Sequence, residues 1–265
     1  MWFQKEICGF GKGYIVTKQW SGITVSGNRY KNLKSKKTNY SVIELFSGCG
    51  GMALGFENAG LNTKLLIEND KDCVETLKLN RPNWNIVQTN IEKVDFTGYR
   101  NRIDLVAGGF PCQAFSYAGK NLGFDDARGT LFFEFARCVN EVKPKIAIAE
   151  NVRGLLRHDS GKTILIMINA MKEIGYKVAL KLLKSQFHDV PQKRERMFLI
   201  CVREDMDIEA LYPKENNYTI NLKDALHNCP ESDGFQYKGR KLEIMQKVPE
   251  GGYWRDLDVD LQKEY

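Results

Sequence analysis

From residue 41 to about residue 205 the chain alternates short apolar runs with longer amphipathic stretches, and this alternation restricts the fold more than any other feature. Such runs read as strands each followed by a helix, the pattern of βαβ units that build a parallel sheet. Strands are expected at 41–46, 63–67, 103–107, 146–149, 177–183 and 196–202, and helices at 52–59, 70–80, 131–142, 161–174 and 222–228. The run at 103–107 is almost continuously apolar, which suits a strand covered by helices on both faces. The expected fold is therefore α/β: a doubly wound, mostly parallel, Rossmann-like sheet with helices on both faces.

Outside that stretch the composition changes. Residues 1–40 hold eight Lys/Arg and one acidic residue, so this segment carries more than the whole net charge of +6, and the remainder is near neutral. Short β-type runs at 14–17 and 23–25 suggest a small hairpin or a partly ordered arm. Its charge either contacts DNA phosphates or belongs to a flexible basic tail. Residues 41–205 form the expected catalytic domain, and 206–265 a polar segment in which the periodicity weakens. No run approaches the roughly 18 apolar residues of a spanning helix, and the N-terminus lacks a secretory apolar core, so a soluble cytosolic chain without membrane contact is expected. The seven cysteines, an odd number without a Cys-x-x-Cys pair, read as reduced thiols and not as a zinc site. His158, His188 and His227 lack metal-like spacing, so no metal is expected. Gly161-Lys162-Thr163 resembles the end of a phosphate-binding loop, but Leu156 stands where its first glycine is required.

In open α/β sheets ligands bind beyond the carboxyl ends of the strands. The first strand runs into Phe46-Ser47-Gly48-Cys49-Gly50-Gly51, a Gly-x-Gly turn opening a helix. It either lets the backbone approach a ligand or serves as a tight turn alone. The second strand ends at Glu68-Asn69, with Glu68 twenty residues after Gly48. That spacing suits a carboxylate accepting from both ribose hydroxyls, the alternative being a solvated Glu in a helix-cap cluster. Loop and Glu68 together point to an adenosine-type cofactor. The third strand leads into Gly108-Gly109-Phe110-Pro111-Cys112-Gln113, where a thiol is presented at the ligand edge, making Cys112 a candidate nucleophile. The fourth runs into Glu150-Asn151-Val152. Glu150 there is partly desolvated and retains a proton for donation, or else it is a structural Glu paired with an Arg. Finally, Arg194 and Arg196 in Gln192-Lys193-Arg194-Glu195-Arg196 point the same way if extended, and so can hold a carbonyl oxygen, a phosphate or a carboxylate.

Taken in order, Phe-Ser-Gly-Cys-Gly-Gly at 46–51, Gly-Gly-Phe-Pro-Cys-Gln-Ala-Phe-Ser at 108–116, Glu-Asn-Val-Arg-Gly at 150–154 and Gln-Lys-Arg-Glu-Arg at 192–196 resemble the cytosine-5 DNA methyltransferases of bacterial restriction-modification systems. The pattern from Lys120 through Gly123, Phe124, Asp126, Arg128 and Gly129 to Leu131 is similar to the same family. The resemblance covers roughly residues 41–205 and implies a fold and activity dependent on S-adenosylmethionine, with S-adenosylhomocysteine as product.

It implies that Cys112 adds to carbon 6 of a cytosine flipped out of double-stranded DNA, so that carbon 5 can take the methyl group. Glu150 meets the charge developing at ring nitrogen 3, Arg196 holds the oxygen at carbon 2, Arg194 supports the loop or the DNA backbone, and Asn151 completes the catalytic set. For the cofactor it implies Phe46 on adenine, the turn Ser47, Gly48, Cys49, Gly50 and Gly51 beneath it, and Glu68 on the ribose. Asn90 and Ile91 lie at the adenine edge, Asn69 is a further cofactor-binding residue, and Pro111 and Leu131 are borders. The family usually carries Asp at the position of Asn90 and often an aromatic at that of Asn69. Residues 116–130 correspond to a mobile loop, with Gln113, Ser116, Lys120 and Arg128 assigned to DNA.

The family's target-recognition region and last two blocks are not found before Tyr265, which implies either a fragment or a subunit completed by a second polypeptide. A relative acting on tRNA, and a cofactor- or DNA-binding subunit inactive alone, are the competing readings. The location implied is the cytoplasm, at the nucleoid of a prokaryote.

Overall fold

The computed structural model describes residues 37–111, 131–226, 237–249 and 251–265. The basic arm with its expected hairpin, and the expectations on Cys112, Gln113, Ser116, Lys120, Arg128 and the loop around them, lie outside these residues. Among the described residues one sheet contains β1 (Ser41–Leu45), β2 (Asn62–Glu68), β3 (Ile86–Gln88), β4 (Leu105–Gly108), β5 (Ile146–Val152), β6 (Tyr176–Lys184) and β7 (Glu195–Arg203). The order is β3-β2-β1-β4-β5-β7-β6. Pairs from β3 through β5 are parallel, whereas β7 runs antiparallel to both β5 and β6. The doubly wound, mostly parallel sheet expected from the alternation is the fold observed.

Helices α1 (Gly51–Asn58), α2 (Lys71–Asn80), α3 (Leu131–Val142) and α4 (Lys162–Glu173) connect the strands, and α5 (Leu222–Leu226) follows. The best example of sequence dictating position is α3, whose Phe132, Phe135, Ala136, Val139 and Val142 recur at helical spacing and are all buried. They join Ile43, Leu45, Val106, Met167 and Met171 in one core. Complete burial of Phe132 or Phe135 contributes roughly 1.5–3 kcal/mol each. On the other side Ala53, Leu66 and Leu77 pack with Trp84 and Ile86. In β2, Leu65 and Ile67 belong to the first cluster and Leu66 to the second, as the two-residue period of a strand requires.

Most boundaries shift by one or two residues from expectation, and three of the differences have a local reason. Phe46 has φ 56°, so β1 ends at Leu45. The side chain of Asp70 accepts from the backbone N–H of Cys73 at 2.9 Å, so Asp70 caps α2 instead of beginning it. Strand β5 does not stop at Ala149: Glu150, Asn151 and Val152 stay in register with Phe198, Met197 and Arg196 of β7. Glu150 is thus held inside the sheet instead of on a loop. Strand β3, three residues at the edge, was not anticipated.

The polar stretch after residue 205 begins against the sheet. The hydroxyl of Tyr212 lies 2.8 Å from the carbonyl of Ala179 and 3.0 Å from that of Phe198, and the hydroxyl of Tyr218 donates to Asp189 at 2.7 Å. Described residues through Leu226 belong to one compact unit and those from Tyr237 to a second. The second holds α6 (Gly239–Met245) and α7 (Val259–Glu264), with Arg240 paired to Glu264 at 2.7 Å and Trp254 stacked on Tyr265. No helix among the described residues is long and apolar enough to cross a membrane, and no group of three His, Cys, Asp or Glu among them could hold a metal ion.

Candidate functional site

The carboxyl ends of β1, β2, β3 and β4 surround a cavity of about 410 Å³. Eight residues singled out from the sequence line it: Phe46, Gly48, Glu68, Asn69, Asn90, Ile91, Pro111 and Leu131. The turn after β1 is held by its own backbone. Phe46, Gly48 and Gly50 all have positive φ, and Phe46 is a bulky residue in a region that costs it on the order of 1 kcal/mol or more. A Cβ on Gly50 would come within 2.5 Å of Leu77, so only glycine lets the turn rest on α2. Ser47, Cys49, Gly50 and Gly51 do not line the cavity. Ser47 is buried and bonded to the carbonyl of Ile67, while Gly51 opens α1. These four shape the turn from behind.

Glu68 is the clamp between this turn and α2. Its Oε2 accepts from the backbone N–H of Gly48 at 2.6 Å, and its Oε1 accepts from the N–H groups of Asn69 and Asp70, both at 2.9 Å. One acceptor site on Oε2 remains for a ligand. At the rim Asn69 donates its amide to Oδ1 of Asn90 at 3.4 Å. Ile91 is fixed from below by Arg137 of α3, which donates to the carbonyls of Ile91 and Val94 at 2.9 and 3.0 Å and pairs with Glu134 and Glu141.

Glu44, not singled out from the sequence, lies next to this cavity in influence. It is 2% exposed in the middle of β1, and its Oε2 has no hydrogen-bond partner among the described residues. Burial, and then the charge of Glu68, push its carboxyl up to about 8. The available signal was an acid inside the apolar run Val42-Ile43-Glu44-Leu45. Among the described residues the lining contains Glu68, Asp70 and Glu92 and no Lys or Arg.

A second cavity, of about 540 Å³, has the opposite character. Arg153, Lys184, Lys193, Arg194 and Arg196 line it, with Glu195 the one carboxylate among the lining residues. The antiparallel register creates it by setting Arg196 opposite both Val152 and Leu183, and Glu195 opposite Lys184. Glu195 bridges Arg153 at 2.6 Å and Lys184 at 3.8 Å, and its bond to Arg153 holds its carboxyl below the usual range. Burial, and then the neighbouring Arg196 charge, push the Arg194 guanidinium down. Arg194 and Arg196 thus share one cavity, as their spacing suggested. Arg153 and Lys184 were not foreseen, because the strand pairing that gathers them is not visible in the linear sequence.

Glu150, which lines neither cavity, contacts one wall residue of each. Its Oε1 lies 3.0 Å from Nε of Arg196, and its Oε2 is so close to Gly109 that a Cβ there would meet it at 3.3 Å. Gly109 lines the acidic cavity and Arg196 the basic one, so this carboxylate touches the walls of both. Asn151 faces elsewhere: buried, it donates to the carbonyl of Phe110 at 2.9 Å. The Phe110 ring is seated 5.4 Å from that of Phe132. Asn151 therefore holds Phe110, which stands two residues before Cys112 in the sequence. Pro111 and Leu131, the described residues on either side of 112–130, both line the acidic cavity.

A family model described as C-5 cytosine-specific DNA methylase matches residues 40–253. The chain is similar to the Type II methyltransferase M.Eco47II of Escherichia coli, at 53% identity over 95% of the chain and 61% of that protein. It is also similar to M.Sau96I of Staphylococcus aureus, at 44% identity over 87% of the chain and 55% of the relative. With M.HhaI of Haemophilus parahaemolyticus the identity is 38%, over 76% and 61%. The chain thus spans between about half and two thirds of the length of these relatives. Among solved structures, a proposed DNA modification methyltransferase encoded within an E. coli prophage superposes with a TM-score of 0.61 at 27% identity, over 85% of this chain and 69% of that one. A DNMT2 mutant of Spodoptera frugiperda shares the fold, with a TM-score of 0.60 at 21% identity over 74% of this chain and 61% of its own.

Proposed function

The chain belongs to the C-5 cytosine-specific DNA methylase family, and from that premise we propose that the protein containing it methylates carbon 5 of a cytosine in double-stranded DNA, using S-adenosylmethionine. The observation that carries the reading is the contrast in charge between two cavities that each have a wall residue in contact with Glu150. A cavity lined by carboxylates, with no Lys or Arg among its described residues, suits a ligand bearing a sulfonium and an ammonium better than the diphosphate of a dinucleotide. The open acceptor site of Glu68 suits a ribose hydroxyl, and the Phe46 ring an adenine face. Asn69, Asn90 and Ile91 take the adenine edge, with Pro111 and Leu131 as borders. When bound, S-adenosylmethionine supplies an electrophilic methyl group, and S-adenosylhomocysteine is its product.

The basic cavity suits the phosphates of DNA, with Arg153, Lys184, Lys193 and Arg194 as the positioning charges. The target cytosine must leave the helix stack to reach Glu150. In this reading the Cys112 thiolate forms a bond to carbon 6 as the double bond between carbons 5 and 6 opens, and Glu150, once it carries a proton, donates to ring nitrogen 3. After carbon 5 takes the methyl group, loss of its proton and elimination of the thiolate restore the double bond and free Cys112. Arg196, already beside Glu150, holds the oxygen at carbon 2. Gln113, Ser116, Lys120 and Arg128 are assigned to DNA contact. The role fits the modification half of a Type II restriction-modification system, acting on DNA in the cytoplasm, with sequence choice supplied outside these residues, by further chain or by a second polypeptide.

The test is a duplex carrying 5-fluorocytosine at the target position, incubated with the protein and S-adenosylmethionine. A denaturation-resistant complex that maps to Cys112 and requires the cofactor is expected. No adduct on a duplex that the protein binds, or an adduct at another cysteine, would overturn the mechanism.

A further inference from the structure

We propose that Cys49 and Cys73 are a modification site, a thiol pair that peroxide converts to a disulfide and that thereby weakens cofactor binding. The effect on the cofactor rests on the reading above, whereas the bond does not. The two sulfurs lie 3.7 Å apart, one on the glycine turn and the other on α2, where Cys73 lines the acidic cavity. Two further thiols among the described residues differ in kind. Cys138 and Cys201 are fully buried, and burial pushes the first well above the ordinary thiol range and the second to about 12. Those remain unreactive core residues, because the thiolate is the reacting species.

Cys49 is the more exposed member of the pair and the first to react. Its sulfur attacks a peroxide oxygen, the O–O bond breaks, and a sulfenic acid and water form. The Cys73 sulfur then attacks that of Cys49, the S–O bond breaks, and a second water leaves as the S–S bond forms. Overall two thiols are oxidised and one hydrogen peroxide is reduced to two waters.

The consequence follows from how tightly this junction is packed. A disulfide requires a sulfur separation of about 2.05 Å, so the two sulfurs must approach by more than an ångström, and whatever part of that approach side-chain rotation does not supply moves the turn toward α2. Room for that is lacking on either side: Gly48 is already clamped to Glu68 at 2.6 Å, and Gly50 rests on Leu77 with no space for even a Cβ. A displacement of the turn bears on the bond between Gly48 and Glu68, the group proposed to hold the ribose.

The experiment uses the chain in a Cys112→Ala background, so that oxidation of the proposed nucleophile does not interfere. Lys64 and Lys71 lie between the two cysteines, so trypsin releases them on separate peptides unless they are joined. After hydrogen peroxide treatment, a Cys49–Cys73 linked peptide is expected by mass spectrometry. Calorimetry should find S-adenosylmethionine bound at least about tenfold more weakly, with recovery on adding dithiothreitol. Cys73→Ser and Cys49→Ser should each abolish the linked peptide and the peroxide sensitivity. Absence of the linked peptide, or its formation with unchanged cofactor affinity, would overturn the proposal. Failure of the reduced chain to bind S-adenosylmethionine would count against the cofactor reading, and the linked peptide would then still decide whether the disulfide exists.

Discussion

Arg196 and Glu150 form an ion pair of 3.0 Å between diagonal positions of β7 and β5, two residues out of direct register. Same-face diagonal neighbours on adjacent strands are within reach of long side chains, so the pair is a product of the antiparallel register. In the proposed reaction both groups turn to the same cytosine ring. Glu150→Gln and Arg196→Ala should each lower single-turnover methylation by about 10²- to 10⁴-fold. The double variant should lose less than the product of the two effects, because each partner orients the other. Rapid-quench measurement of methyl transfer decides this, and strict multiplicativity would show that the pair does not act as a unit.

Glu68 accepts three backbone hydrogen bonds, and only a carboxylate can accept from all of them at once. Glu68→Gln turns an amide NH₂ toward at least one of those donors. Cofactor affinity is expected to fall by about 10- to 100-fold, at a stability cost of roughly 1–3 kcal/mol. Calorimetry and urea unfolding measure the two effects. Unchanged affinity would remove Glu68 from the cofactor site.

Glu44 introduces a pH dependence of stability. Its carboxyl titrates near 8 in the folded chain against an ordinary value of 4.5, so between those values the folded state holds a proton that the unfolded state has lost. Stability from this group is complete below pH 4.5 and declines as pH rises to about 8, by a total on the order of 5 kcal/mol. Glu44→Gln should remove that decline. Urea unfolding at intervals across this range provides the check, and parallel pH profiles for the two proteins would contradict the assignment.

Lys193 lines the basic cavity beside Arg194 and Arg196. Lys193→Ala should weaken binding to all duplexes alike and reduce the slope of log affinity against log salt by about 1. Fluorescence anisotropy over a salt series tests it, and an unchanged slope would exclude a phosphate contact.

The sheet was legible in the sequence because alternating apolar runs are a local signal. The run at 146–149 marked β5 but not its continuation. The pattern of buried apolar residues ends at Ala149, while the strand continues because Asn151 finds the carbonyl of Phe110 and Glu150 finds Arg196. Those partners are distant in sequence. Strand β3 was too short to stand out, at three residues beside the longer β2. In the site, Glu68 could be named because it ends an apolar run, whereas Phe46 and Asn90 took their roles from the resemblance to the family. Glu44 was hidden within one, and Lys184 and Arg153 join the basic cavity only once β6 and β7 pair and Glu195 draws them together.

In the proposed reaction the acidic and basic cavities bring a methyl donor and a cytosine of DNA to opposite sides of Glu150. The most direct test is the position of the transferred group. The protein containing this chain is incubated with methyl-labelled S-adenosylmethionine and either duplex DNA or tRNA, and the digested nucleosides are resolved by mass spectrometry. Label is expected in duplex DNA, on carbon 5 of cytosine, and none of it after Cys112→Ala. Label on an exocyclic nitrogen, or on tRNA and not on DNA, would contradict that reaction.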